Sequence, residues 1–275
     1  MLSKPIGHDE EMGLSIAHLS DPHLRVGPLA AEPTAGLHLA LGRVLALDPR
    51  PDCVVITGDL ADNGEPGAYA TLRQLVARYP LPVHLATGNH DDPKNLLAEF
   101  GGSPFLGGVT DRCYYTVDYP DATVVMLDSW DITLGGNPGQ LGPEQLAWLD
   151  AELARRPDVP AVLCLHHPPV TVGIPFMDGI NLRDGAAMAD VVSRHAHVTR
   201  VLAGHMHRTV VTGFARTIMV TAPSTYRQIG LTMREDLPIG YLVEPTGFLL
   251  HLVSAEGTVT HAVAASHAAG LVGGW

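Results

Sequence analysis

The chain is 275 residues long and 46% hydrophobic, and its 17 Lys and Arg against 29 Asp and Glu give a formal charge of -12. That length can bury a full core within one domain, while the acidic balance argues against a broad basic face for nucleic acid, where Lys and Arg must neutralise phosphates. No run approaches the roughly 18 apolar residues of a membrane span, residues 1–13 lack the apolar stretch of a signal peptide, and three cysteines (Cys53, Cys113, Cys164) cannot all pair, so a cytoplasmic protein with reduced core thiols is expected.

In chain order, Leu14 to Ser20 is a short apolar run ending at Asp21, and Leu37, Leu41, Val44 and Leu45 give helical spacing over Ala35 to Leu47. Cys53 to Thr57 reads as a strand buried on both faces, followed by Gly58-Asp59 and a helix near Gly67 to Tyr79. Val83 to Thr87 is a third strand ending in Gly88-Asn89-His90, and Pro93 to Phe100 suits a helix with proline in its first turn. The separations from Asp21 to Asp59 (38 residues) and from Asp59 to Asn89 (30) fit repeated βαβ units. Tyr114 to Val117 and Thr123 to Leu127, split at Pro120-Asp121, read as a hairpin that begins a second sheet. A helix over Pro143 to Ala154, a strand Ala161 to Leu165 delivering His166, a long loop Pro168 to Asn181, a helix Asp184 to Arg194 and a strand Val198 to Ala203 delivering Gly204-His205 follow. The remainder is β-rich, with candidate strands at Thr209 to Thr212, Thr217 to Thr221, Gly240 to Val243, Phe248 to Val253 and Thr258 to Val263. Ala264 to Trp275 reads as a frayed or partner-covered tail. No repeat, linker or second domain is seen, so one α/β domain is expected over residues 1–275.

Five segments end in metal-binding side chains, each after an apolar strand: Asp21-Pro22-His23, Gly58-Asp59, Gly88-Asn89-His90-Asp91, His166-His167-Pro168 and Gly204-His205-Met206-His207. Taken singly each also has a structural reading, as a cap, a turn or histidines exposed on the surface. Taken together at strand ends they predict one cluster at a sheet edge. On an extended backbone, residues two apart project to one side, so Asp21 with His23 is expected to grip one ion, and His205 with His207 repeats the geometry and supplies imidazole nitrogen. Asp59 has two carboxylate oxygens and can bridge two cations, Asn89 adds an oxygen without charge, and the imidazoles suit zinc, iron and related metals better than calcium or magnesium. His8, His18, His38, His84, His195, His197, His251, His261 and His267 are read as core or surface residues.

The order Asp-x-His, Gly-Asp, Gly-Asn-His-Asp, His-His-Pro and Gly-His-x-His resembles the calcineurin-like metallophosphoesterase superfamily. Gly58-Asp59-Leu60-Ala61-Asp62-Asn63-Gly64-Glu65 and Leu165-His166-His167-Pro168-Pro169 resemble its bacterial branch of class III cyclic nucleotide phosphodiesterases and glycerophosphodiesterases. The resemblance implies a four-layer αββα sandwich, two mixed β-sheets flanked by helices with the metal site at strand C-terminal ends. It places Asp21, His23, Asp59 and His207 around a first metal, commonly iron, and Asp59, Asn89, His166 and His205 around a second, often manganese or zinc. His90 corresponds to the histidine beside the substrate, His167 to a residue behind the ligands or facing the substrate, and Asp62 and Asp91 to partners that orient ligands. The function implied is hydrolysis of a small phosphodiester by a metal-bound hydroxide, with a 3′,5′-cyclic nucleotide favoured and a glycerophosphodiester as alternative. A nuclease is disfavoured by charge, and a non-catalytic protein-binding module by the complete ligand set. A homo-oligomer, dimer or larger, is expected by the same resemblance.

Overall fold

The computed structural model describes residues 13–266 except 136 and 238. Among the described residues there are thirteen strands and six α-helices, and strand and helix alternate at first: β1 (Ser15–Leu19), α1 (Ala31–Leu45), β2 (Cys53–Thr57), α2 (Pro66–Val76), β3 (Val83–Ala86), α3 (Pro93–Phe100), then β4 (Tyr115–Asp118) and β5 (Thr123–Met126). There follow α4 (Gly142–Ala154), β6 (Ala161–Cys164), α5 (Pro175–Asp178), α6 (Gly185–Ser193), β7 (Val198–Ala203), β8 (Val210–Phe214), β9 (Thr217–Thr221), β10 (Gln228–Ile229), β11 (Tyr241–Leu242), β12 (Gly247–Ser254) and β13 (Gly257–Ala264).

They form two large mixed sheets flanked by helices, ordered β13-β12-β1-β2-β3 and β4-β5-β6-β7-β9-β8. Within the first sheet β1, β2 and β3 run parallel, and within the second β5, β6, β7 and β9 do, so every chemically interesting segment leaves a parallel strand at its C-terminal end. The helix α1 begins at Ala31, four residues before its first expected position, because Pro33 is accommodated in the first turn, where no backbone donor is needed. The Pro168 to Asn181 loop holds a short helix, α5, so it is less open than its sequence suggests. The last two long strands return to the first sheet, with β12 antiparallel to β1.

Side chains from both sheets share one buried cluster: Ile16, Val54, Ile56 and Leu85 from the first sheet lie with Val124, Met126, Val162, Cys164 and Leu202 from the second. A second cluster, including Val125, Leu163 and Val201 with Leu149, Leu153, Met188 and Val192, packs the outer face of the second sheet on α4 and α6. The alternation of inner and outer residues along β5 and β6 is the period-two signature of strands covered on both faces. Cys53, Cys113 and Cys164 are all free and buried, as expected for reduced core thiols. Among the described residues, no helix is long and apolar enough to cross a membrane. The expected tail lies almost wholly outside the described residues.

Candidate metal centre

The parallel pairing does not stop at the strand ends. The backbone N–H groups of Asp21 and His23 donate to the carbonyls of Gly58 and Asp59, at 3.2 and 2.9 Å, and Gly204 N–H donates to the carbonyl of His166 at 3.0 Å. The Asp21 and Asp59 loops are thereby stitched together on one sheet, and the His166 and His205 loops on the other. Across the gap, His166 Nδ1 donates to the Thr57 carbonyl at 2.8 Å, and His205 N–H reaches the Asp21 carboxylate at 3.2 Å.

This closeness demands glycine. A Cβ on Gly58, whose φ is +89°, would lie 2.6 Å from His166 Nδ1, and one on Gly204 would lie 2.1 Å from Ser20 Oγ. It also demands unusual backbone from the ligands. Six non-glycine residues among those described have positive φ, and five are Asp21, His23, Asp59, His205 and His207. Each left-handed residue costs of order 1–3 kcal/mol, which persists only where the surroundings over-determine it. The expectation that Asp21 with His23 and His205 with His207 converge on an extended backbone is therefore corrected: a left-handed turn at each residue aims the side chains, because the chain must bend sharply over the strand ends.

Three groups of ligand-type atoms each fall within 4.8 Å: Asp21, His23, Asp59 and His207; His166, His167 and His205; and His23, Asp62 and His90. Asp59 Oδ2 lies 3.4 Å from both His23 Nε2 and His166 Nε2, which joins the first two groups. Asn89 Oδ1 is 2.9 Å from His166 Nε2. His167 stands beside His166 and His205, with ring centroids 5.0 and 4.7 Å away, and its Nδ1 is 2.8 Å from Ser129 Oγ. His90 is half-buried, with its N–H on Asp59 Oδ1 at 2.9 Å and Nδ1 donating to the Asp62 carbonyl at 2.8 Å.

Asp62 accepts from His23 Nδ1 and from Arg25, each at 3.0 Å, which places its carboxylate against the edge of one imidazole of the cluster. Asp91 acts differently. Its buried carboxylate accepts from the backbone of Leu60, Ala61 and Gly88 and from Tyr69 Oη, all between 2.8 and 3.1 Å. It therefore ties the Asp59 and Asn89 loops together through main chain and touches no imidazole in these bonds. Its ionised form is disfavoured by burial and by nearby Asp59, which push its pKa up to about 7.

The donor chemistry fits cations. Asp21 and Asp59 are buried at 0% and 2% exposure, yet among the described residues neither meets a lysine or arginine in an ion pair; besides backbone N–H groups, imidazoles face them. His23 Nδ1 donates to Asp62 and His207 Nδ1 to the Arg227 carbonyl, which leaves both Nε2 atoms facing each other at 3.1 Å. His205 Nε2 is buried without a hydrogen-bond partner. Burial opposes charge on His166, but the carboxylates of Asp59 and Asp21 outweigh it and raise its pKa to about 9. His207 is raised too, against burial, by Asp21. Burial likewise opposes ionisation of Asp59, and His166 and His23 hold it well below the usual carboxylate range. The carboxylates thus favour positive charge on the imidazoles beside them, and bound cations would meet the same requirement. His23 and His205 are lowered by burial first, as unprotonated ligands should be.

Beside the cluster opens a cavity of about 300 Å³. Asp59, Asn89, His90, His205 and His207 line one side of it, and Phe176, Met177, Ile180, Ile229, Ile239 and Tyr241 contribute the apolar remainder.

Residues 14–209 match the family model described as calcineurin-like phosphoesterase. The chain belongs to this family. It is 32% identical over 252 residues to a probable glycerophosphodiester phosphodiesterase, GpdQ, of Arcobacter nitrofigilis, covering 90% of this chain and 91% of the relative. It is 34% identical over 245 residues to a probable cyclic nucleotide phosphodiesterase of a Synechococcus strain, covering 86% and 91%. In three dimensions it resembles a dimetal phosphatase from Danio rerio with a TM-score of 0.69 at 18% identity, covering 93% of this chain and 97% of that one. The calcineurin-like fold accounts for the paired mixed sheets described above. Sequence reasoning did not find Ser20, Thr57, Ser129 or Tyr241 near the site. Ser129 carried a signal, since Asp128-Ser129 follows the apolar strand β5 as the other polar segments follow theirs; Tyr241 carried none.

Proposed function

We propose that this calcineurin-like phosphoesterase is a metal-dependent phosphodiesterase acting on 3′,5′-cyclic nucleotides. One observation carries the reading: five strand-end segments, far apart in sequence, form a continuous cluster of carboxylate, amide and imidazole groups on the wall of a ligand-sized cavity. Asp21, His23, Asp59 and His207 would hold one ion. Asp59, Asn89, His166 and His205 would hold the second, with His167 near enough to support or join them. The family resemblance implies iron in the first position and manganese or zinc in the second, and imidazole donors suit such metals. Bound there, two such ions supply positive charge for the phosphoryl oxygens and lower the pKa of water from about 15.7 towards 7.

The chain's own residues do the rest. Asp59, the only carboxylate on the cavity wall among the described residues, cannot attract an anionic phosphate, so an otherwise acidic protein depends on the cations to receive it. With its Nδ1 proton held by the Asp62 carbonyl, His90 presents Nε2 to the cavity side, where its protonated form can donate to the phosphate or to the leaving alkoxide.

A glycerophosphodiester is the second reading, supported by the name of the Arcobacter relative. The deciding experiment compares kcat/KM for cyclic AMP, glycerophosphocholine, bis-p-nitrophenyl phosphate and a monoester on protein of measured metal content. Cyclic AMP is expected to lead, with all diester turnover lost on chelation. A clear preference for glycerophosphocholine would transfer the assignment, and a metal-free, inactive protein would make the fold a binding module. Within the same reading the protein works in the cytoplasm as a dimer or larger assembly, and exposed Leu231, Met233, Leu237 and Val243 are surface that a second copy would cover. Sedimentation tests that state.

A further inference from the structure

The apolar half of the cavity is built onto the metal-binding half rather than beside it. Met206, between His205 and His207 in sequence, is fully buried and packs with Ile174, Met177 and Ile229, while Ile180 and Ile239 lie against that group. The bend that aims the two imidazoles thus also anchors the aliphatic wall. Tyr241 completes the connection: its ring lies 5.5 Å from that of His207 at an interplanar angle of 35°, and 6.5 Å from that of His23. One side of Tyr241 is turned to the cluster, yet the residue is 53% exposed and lines the cavity, and Phe176 at the same cavity is 59% exposed.

The chemistry of this wall selects among leaving groups. Glycerol hydroxyls placed on Ile180, Ile229 and Ile239 would lose water and gain no partner. A primary ammonium would need an anion, and Asp59, the only acid lining the cavity among the described residues, is already engaged by His23 and His166; a quaternary ammonium could rest on the Tyr241 and Phe176 rings, so choline is a competitor that the test must include. A planar heterocycle fits the wall, since its faces are apolar and its polar edge can meet Asn137, an amide of the cavity lining that, unlike Asn89, is not assigned to a metal.

We propose that this wall is a base-binding slot, in which Tyr241 stacks on the nucleobase of the substrate while its phosphate occupies the histidine side. The slot rests on the reading of the site as a cyclic nucleotide phosphodiesterase and makes it specific: Tyr241 is a specificity residue that acts through its ring and not its hydroxyl.

The test uses full-length, metal-loaded protein and the variants Tyr241→Ala and Tyr241→Phe. Tyr241→Ala is expected to lower kcat/KM for cyclic AMP by roughly 10- to 100-fold, mainly through KM, as stacking losses do. Tyr241→Phe should restore most of it, and turnover of glycerophosphoethanolamine, which has no ring, should change less than about threefold with metal content unaltered. Adenosine, a base without phosphorus, is titrated separately by calorimetry, and its binding should weaken by a similar factor in Tyr241→Ala. Equal losses on both substrates, or a Tyr241→Phe variant as poor as Tyr241→Ala, would overturn the slot, as would choline binding in place of adenosine. If cyclic AMP is not hydrolysed but adenosine binds through Tyr241, the slot stands and the substrate assignment falls. If cyclic AMP is hydrolysed and adenosine neither binds nor depends on Tyr241, the assignment stands and the slot falls.

Discussion

Two pairs of buried histidines, His18 with His251 and His23 with His207, show how similar residues take different work. In the first pair every hydrogen bond can run one way. Thr260 donates to His251 Nδ1 at 2.8 Å, His251 Nε2 to His18 Nδ1 at 3.3 Å, His18 Nε2 to Thr57 Oγ1 at 2.9 Å, and Thr57 to Ser20 Oγ at 2.8 Å. Both rings are neutral and satisfied, and burial lowers the His18 pKa to about 3. In the second pair Nδ1 of each ring is spent on an oxygen, but the two Nε2 atoms meet each other at 3.1 Å among carboxylates. Burial alone does not make a histidine a ligand; convergence of unspent lone pairs on acids does. The strand interior gives the first arrangement, and the left-handed turns past the strand ends give the second.

The largest expected effect comes from removing the group that joins the two halves of the site. Asp59→Asn should lose at least half of the bound metal and about 10³-fold or more in kcat/KM, since His23 and His166 both turn to its Oδ2. Full metal content and activity by elemental analysis and assay would refute the shared-carboxylate role. His90→Ala should keep the metal and lose about 10²–10⁴-fold in kcat for a diester with a poor leaving group, and much less for a nitrophenyl ester. An equal loss on both esters would deny it the leaving-group role. Asp62→Asn, which weakens the grip on His23 Nδ1, should weaken metal binding by about 10- to 100-fold, as measured by chelator competition.

The smallest effect separates, by pH, histidines that burial lowers from those that the site carboxylates raise. His18, His84 and His251 are lowered by burial in the folded state, to about 3 for His18 and about 4 for His84, so only the unfolded chain takes up their protons as pH falls below 6.5. Stability should therefore be lost on acidification from pH 7 to 5, by roughly 1 kcal/mol or more per histidine. His166 has the opposite sign. Raised to about 9 in the folded, metal-free protein, it contributes stability below pH 6.5 that is lost as pH climbs towards 9, and His207 is raised in the same sense. Urea unfolding of metal-free protein at pH 5, 7 and 9 should show both losses. His84→Phe should shrink the acid loss and Asp59→Asn the alkaline one, and a flat profile in the wild type would contradict both assignments.

Sequence by itself determined which side chains are available and where strands would deliver them. Apolar runs such as Cys53 to Thr57 and Val198 to Ala203 are long enough to commit to buried strands, and a polar ligand immediately after such a run has nowhere to go but the sheet edge. The helix α3, with proline in its first turn and Asp92 accepting from Asn95 N–H at 3.0 Å, was legible for the same local reason. Tertiary structure alone decided the return of β12 and β13 to the first sheet, the left-handed turns at the ligands, the main-chain role of Asp91 and the placing of Tyr241 over His207. Each of those depends on groups distant in sequence competing for the same space, and neither periodicity nor spacing records the outcome of that competition.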